Sequence, residues 1–210
     1  MASNTTTSSD FAIDVSKKGL GYNKPQQMGR KLWTPMWVMA IMAFPIALVL
    51  GIVRSNAIAS GEAETTIAAL GHTTTGVMFI AFTAVFAAIS FAIARILGEF
   101  RKGGGEVQEL VTSEVRTLKM PSTAKVFILG MAMGMMALLI ASIVHLVVAA
   151  QVSSGSLSLA GAETAAINLE AVRRLGVAVY LVAITFGLAT IIKVLRFQAI
   201  RLRELVQVSS

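Results

Sequence analysis

Four stretches of the chain carry no charged side chain over lengths that match the thickness of a lipid bilayer. They are residues 36–53, 73–94, 126–150 and 175–192. A membrane-spanning helix takes roughly 20 apolar residues, with about 17 as a lower limit. A water-soluble helical core can produce one such run by chance, but hardly four. The pattern predicts an all-α integral membrane protein, a bundle of four transmembrane helices. The first and last runs are short. Arg54, Lys193 and Arg196 stand at their ends, where long side chains can reach the headgroups and extend the span.

The polar stretches between the runs give the orientation. Fifteen of the eighteen basic residues precede the first run, lie between the second and third, or follow the fourth. Lys17, Lys18, Lys24, Arg30 and Lys31 are those ahead of the first run. Only Arg54, Arg173 and Arg174 lie on the opposite side. Basic residues in short loops stay cytoplasmic, so both termini are expected in the cytoplasm of a multi-pass plasma-membrane protein. The Asn4-Thr5-Thr6 sequon is then on the wrong side for glycosylation. Trp33 and Trp37 bracket the start of the first span, as an interfacial aromatic belt would. Pro45, at its middle, removes a helical donor from the Ile41 carbonyl and predicts a kink.

The two halves resemble each other. Met42, Leu48 and Ile52-Val53 match Met133, Leu139 and Ile143-Val144 at a constant offset. After a longer second loop, Gly61 and Ala63-Glu64-Thr65 match Gly161 and Ala162-Glu163-Thr164. The order of these matches favours a tandem repeat of two hairpins, related by an axis along the membrane normal. The expected division is a polar tail over 1–35, a first hairpin and cytoplasmic loop over 36–119, and a second hairpin with a basic amphipathic C-terminal helix over 120–210. In that last helix Leu195, Phe197, Ile200, Leu202 and Leu205 sit among basic residues, which suits the membrane interface. Gly103-Gly104-Gly105 is expected to break the helix that follows the second span.

Composition agrees and narrows the chemistry. The chain is 55% hydrophobic and 14% charged, against about a quarter charged in soluble domains. Its net charge of +7 follows from the positive-inside placement and is no sign of nucleic acid. There is no cysteine, which excludes disulfides, thiolate metal sites and cysteine nucleophiles. The polar first 35 residues lack a short apolar core with a cleavage site, so the first run is expected to serve as the anchor. No acidic residue falls inside a span, which argues against a proton- or sodium-coupled transporter.

A few residues remain that could carry chemistry. His72 and His145 are the only imidazoles and fall in the same outer layer of the membrane. Together they could ligate a haem b or a copper ion. Met131 and Met135 share a helix face and offer thioethers to Cu(I). The plainer alternative is an outer-face polar ring of Arg54, Glu64, His72, His145, Glu163, Arg173 and Arg174 that closes the helix ends with salt bridges. Gly130 and Gly134, with the ladder Ala84, Ala88 and Ala92, offer small faces for close helix approach.

Three functions follow from different parts of this pattern. The first is a non-catalytic subunit packed against other membrane subunits or against itself, with lipids around it and no cofactor of its own. The second is an electron-transfer subunit holding haem or copper on the histidines. The third is an oligomeric channel or facilitator for a small solute.

Overall fold

The structure is a computed structural model that describes residues 7–8, 11–16 and 20–209, with side chains to residue 207. Lys17, Lys18 and the Asn4-Thr5-Thr6 sequon lie outside these residues. Six elements follow one another: β1 (Ile13–Ser16), α1 (Lys24–Ala59), α2 (Glu64–Glu109), β2 (Val115–Leu118), α3 (Ser122–Ser153) and α4 (Leu159–Ser209). All four helices are long and apolar enough to cross a membrane.

Local chemistry sets the helix ends. Asn23 caps α1 by accepting from the Gln26 backbone N–H, and Gln26 Oε1 accepts from the Asn23 N–H in return, each at 3.0 Å. That reciprocal pair satisfies two donors that would otherwise be orphaned. Pro35 and Pro45 lie inside α1, which continues through both. α1 and α3 end alike, each at a glycine with positive φ, Gly61 at 69° and Gly155 at 72°. In each turn the glycine N–H bonds three residues back, to Ile58 or Val152, and the next N–H bonds five back, to Ala57 or Gln151. This is the Schellman geometry, and it needs a residue without a Cβ at the left-handed position. Gly155 is thus the counterpart of Gly61. Gly161, its partner in the sequence alignment, instead lies inside α4, with Ser158 Oγ accepting from its N–H.

The glycine run at 103–105 does not break α2, which stays helical to Glu109. A Cβ on Gly104 would collide with the side-chain amide of Gln198, and one on Gly105 would stand 2.5 Å from Leu20 Cδ1. Two of the three glycines are therefore there for close approach, not for a turn.

The chain divides into two compact units. One comprises Met1–Trp33, Ser90–Ile128 and Ala183–Ser210. In it β1 and β2 form an antiparallel pair in which Ile13 faces Leu118 and Ser16 faces Val115. The pair adds a little strand to a helical chain. Val115 and Thr117 alternate inward and are buried, as a period of two requires. Phe11 meets Phe197 edge to face at 5.7 Å, and Phe197, Ile200 and Leu205 are buried. The apolar face that the sequence assigned to the membrane interface is covered by the chain itself, while Leu195 and Leu202 stay exposed.

The other unit comprises Thr34–Ile89 and Leu129–Val182. Small residues make its contacts close. A Cβ on Gly134 would meet Tyr180 at 2.8 Å and the Gly176 carbonyl at 3.2 Å, so α3 and α4 approach there. Ala84 and Ala88 are wholly buried, Ala92 of the first unit is half-buried, and Gly130 is half-buried. Phe86 stacks on Tyr180 at 4.7 Å. Val148, Val152 and Ala162 form a cluster where α3 leads into α4, with Ala68, Leu157 and Ala165 packed on it. Thr83 and Ser142 each donate back to the carbonyl four residues earlier, at 2.7 Å. In apolar surroundings that internal bond satisfies the hydroxyl.

Candidate functional site

The two histidines meet. α2 brings His72 and α3 brings His145 into the second unit, where their Nδ1 atoms stand 2.9 Å apart and both rings are buried. A neutral imidazole has one donor and one acceptor nitrogen. The Ala162 backbone also bonds His72, and with Nδ1 engaged this leaves His72 Nε2–H as the donor to the Ala162 carbonyl. His72 Nδ1 then accepts from His145 Nδ1–H. The last position in the relay, His145 Nε2, is a buried acceptor with no partner among the described residues. The tautomers are assigned from this network.

Around the pair, charge is arranged on the α2 and α4 sides. The Arg54 guanidinium lies along Gly71, where a Cβ would come within 3.2 Å of it. Arg173 contacts Glu170, and Arg174 Nε donates to Glu170 Oε1 at 2.7 Å. The Arg173 guanidinium also sits 4.3 Å above the Phe79 ring, a cation–π contact. The hydrogen bond from Arg174 holds the Glu170 carboxyl below its usual range, with desolvation opposing it and Arg173 adding to it.

The expected ring is therefore only partly closed by ion pairs. Glu64 and Glu163 are exposed and make no ion pair among the described residues, and neither does Arg54. The carboxylate that serves Arg173 and Arg174 is Glu170. Its spacing of three and four residues from them was the available signal, since such side chains share a helix face.

As placed, the histidines hold a shared proton between rings whose centroids are 5.1 Å apart. A metalloporphyrin ligated by both would have to part them. Among the described residues no three His, Asp or Glu side chains converge on a point that could hold a metal ion. Met131 is buried and Met135 half-buried on α3. Met135 lies about 15 Å from His145 along the axis at 1.5 Å per residue, so the thioethers and the imidazoles do not form one donor set.

A second polar cluster, missed in the sequence, is built in the first unit. Gln108 is buried near the end of α2 and mimics a strand. Its Nε2 donates to the Arg116 carbonyl at 3.0 Å, and its Oε1 accepts from the Arg116 N–H at 2.9 Å. Arg201 of α4 donates to Gln108 Oε1 at 3.2 Å and to Glu204 Oε2 at 2.5 Å. Ser8 donates its backbone N–H and its hydroxyl to the two Glu204 oxygens, each at 2.6 Å. Burial raises the Glu204 pKa, but the Ser8 and Arg201 bonds outweigh it and hold the carboxyl below its ordinary value. Arg201 and Glu204 lie three apart on α4, but Ser8 and Gln108 join them from more than ninety positions away, so local spacing could announce only that one pair.

Neither a protein-family model, nor a curated protein, nor a solved structure matches the chain.

Proposed function

We propose that the protein is a non-catalytic multi-pass membrane subunit, two tandem hairpins with both termini in the cytoplasm, that assembles through α1 with other membrane subunits or with itself. The observation that carries this reading is the exposure of α1. Only 17% of its apolar window is buried within the chain, against 28–39% for the other three helices. Its covered side is small, with Ala40, Ala43 and Ala47 inward. Its outward side is a stripe of large residues, Val38, Ile41, Leu48 and Ile52, with Pro45 between. Their spacing alternates three and four, the seam that left-handed helix packing uses.

Cross-linking tests it. The chain has no cysteine, so Leu48→Cys gives the only thiol. Oxidation in native membranes should yield a disulfide dimer or a cross-link to a co-purifying subunit. A protein that stays un-cross-linked, and purifies in mild detergent as a monomer without companions, sinks the proposal.

A further inference from the structure

The first unit contains a cavity of about 360 Å³, within the size range of ligand sites. Leu97, Phe127, Ile128, Val194 and Phe197 give it an apolar wall. Most of its polar lining is already satisfied. Asn23 and Gln26 bond each other, Thr190 donates to the Phe186 carbonyl at 2.8 Å, and Gln198 donates to the Phe100 carbonyl at 3.3 Å. Two charged lining groups differ. The Arg101 guanidinium and the Asp14 carboxylate make no hydrogen bond or ion pair among the described residues.

Asp14 is exposed and Arg101 half-buried, whereas Phe127 and Phe197 are buried, so the charged groups of the lining are open to water and its two phenylalanines are not. An alkyl chain suits the wall, and a headgroup bearing both a phosphate and an ammonium suits the two charges. The position in the chain agrees. Ala94, Phe127, Ile128 and Thr190, all lining residues, stand at the ends of the charge-free runs, on the side of the fifteen basic residues. In a bilayer those ends lie at headgroup level.

We infer that this cavity binds a zwitterionic aminophospholipid, with an acyl chain against Phe127 and Val194, the phosphate on Arg101 and the amine on Asp14. The inference rests on the membrane placement of the helices and not on assembly through α1.

The test is native mass spectrometry of the full chain released from nanodiscs containing phosphatidylethanolamine, phosphatidylglycerol and diacylglycerol. The wild type should retain phosphatidylethanolamine in preference to the other two. Arg101→Gln removes a charged hydrogen bond and should weaken retention about tenfold. Ala124→Phe, from a buried lining position, should fill the cavity and abolish retention. Ile128→Trp, from an exposed wall position, asks the same question if the first variant does not fold. A wild type that carries no phospholipid, one that prefers phosphatidylglycerol, or filled variants that retain lipid as the wild type does would each overturn the inference. Flotation of the protein with membranes tests the membrane placement separately.

Discussion

Replacing His72 by leucine leaves both ring nitrogens of His145 buried without a partner, since Nε2 has none to begin with. An unsatisfied buried polar group costs about 1–3 kcal/mol. Replacing both histidines by leucine removes the pair together and should cost less than the sum of the single changes. A double-mutant cycle on thermal unfolding in detergent measures the difference, and additive costs would show that the rings do not bond. Gly29 gives a second residue-scale expectation. A Cβ there would stand 2.6 Å from the Phe91 carbonyl oxygen and 2.8 Å from the Arg95 nitrogen. Backbone cannot swing away as a side chain can, so Gly29→Ala forces α1 from α2 and should destabilise by about 1–3 kcal/mol. An unfolding midpoint equal to the wild type's would contradict the close approach. The sequence placed both histidines in one layer because depth follows from counting residues along a span. It did not show that they face each other, because the rotation of each helix about its axis is set by contacts such as Gly76 against Leu146 and the Ser142 carbonyl.

At the scale of the element, the helix through Gly103–Gly105 separates two roles that look the same in sequence. Gly103 has open space around its Cβ position. Gly103→Ala should therefore stabilise α2 by about 0.5–1 kcal/mol through helix propensity alone. Gly104→Ala should do the reverse, because the methyl displaces Gln198 from the Phe100 carbonyl. The same sign for both in thermal melts would refute this account. The N-terminal segment, through Ser8 and Phe11, is an element held by α4, and its hold depends on pH. The Glu204 carboxyl titrates below its ordinary value of about 4.3 when folded. Its stabilisation is therefore complete above that pH and is lost as pH falls through the folded value. Limited proteolysis near the N-terminus should accelerate on acidification. Glu204→Gln should flatten that dependence and cost about 1.5–3 kcal/mol near neutral pH, the worth of hydrogen bonds to a charged group. The four long apolar helices were legible because an uncharged run of such length marks a helix able to cross a membrane, where charge is costly. The glycine run, β1 and the Ser8 contact were not, because their causes lie in partners remote in sequence: Gln198 for Gly104, Val115–Leu118 for β1 and Glu204 for Ser8.

For the molecule as a whole, the asymmetry of charge makes a prediction that no contact inside the chain can make. Moving a polar loop of many cations across a bilayer is disfavoured, and short loops obey this rule most strictly. The connection between α2 and α3 carries Arg116 and Lys119 against Glu114, while the one between α3 and α4 carries no charge. Because the chain lacks cysteine, each side can be read with a single engineered thiol and no background. Ser113 and Ser156 are both exposed in their loops, so neither substitution disturbs a core. In intact cells a membrane-impermeant maleimide should label Ser156→Cys at once and Ser113→Cys only after permeabilisation. Labelling of both without permeabilisation would mean that the chain does not span. The reversed pattern would turn the protein over and move the Arg101 cavity to the outer leaflet, while leaving the histidine pair and the exposed α1 seam as they are. Assembly through α1 requires only that the helices lie in lipid, whereas a headgroup preference depends on which leaflet meets Arg101, so the labelling result also decides which phospholipids reach that cavity.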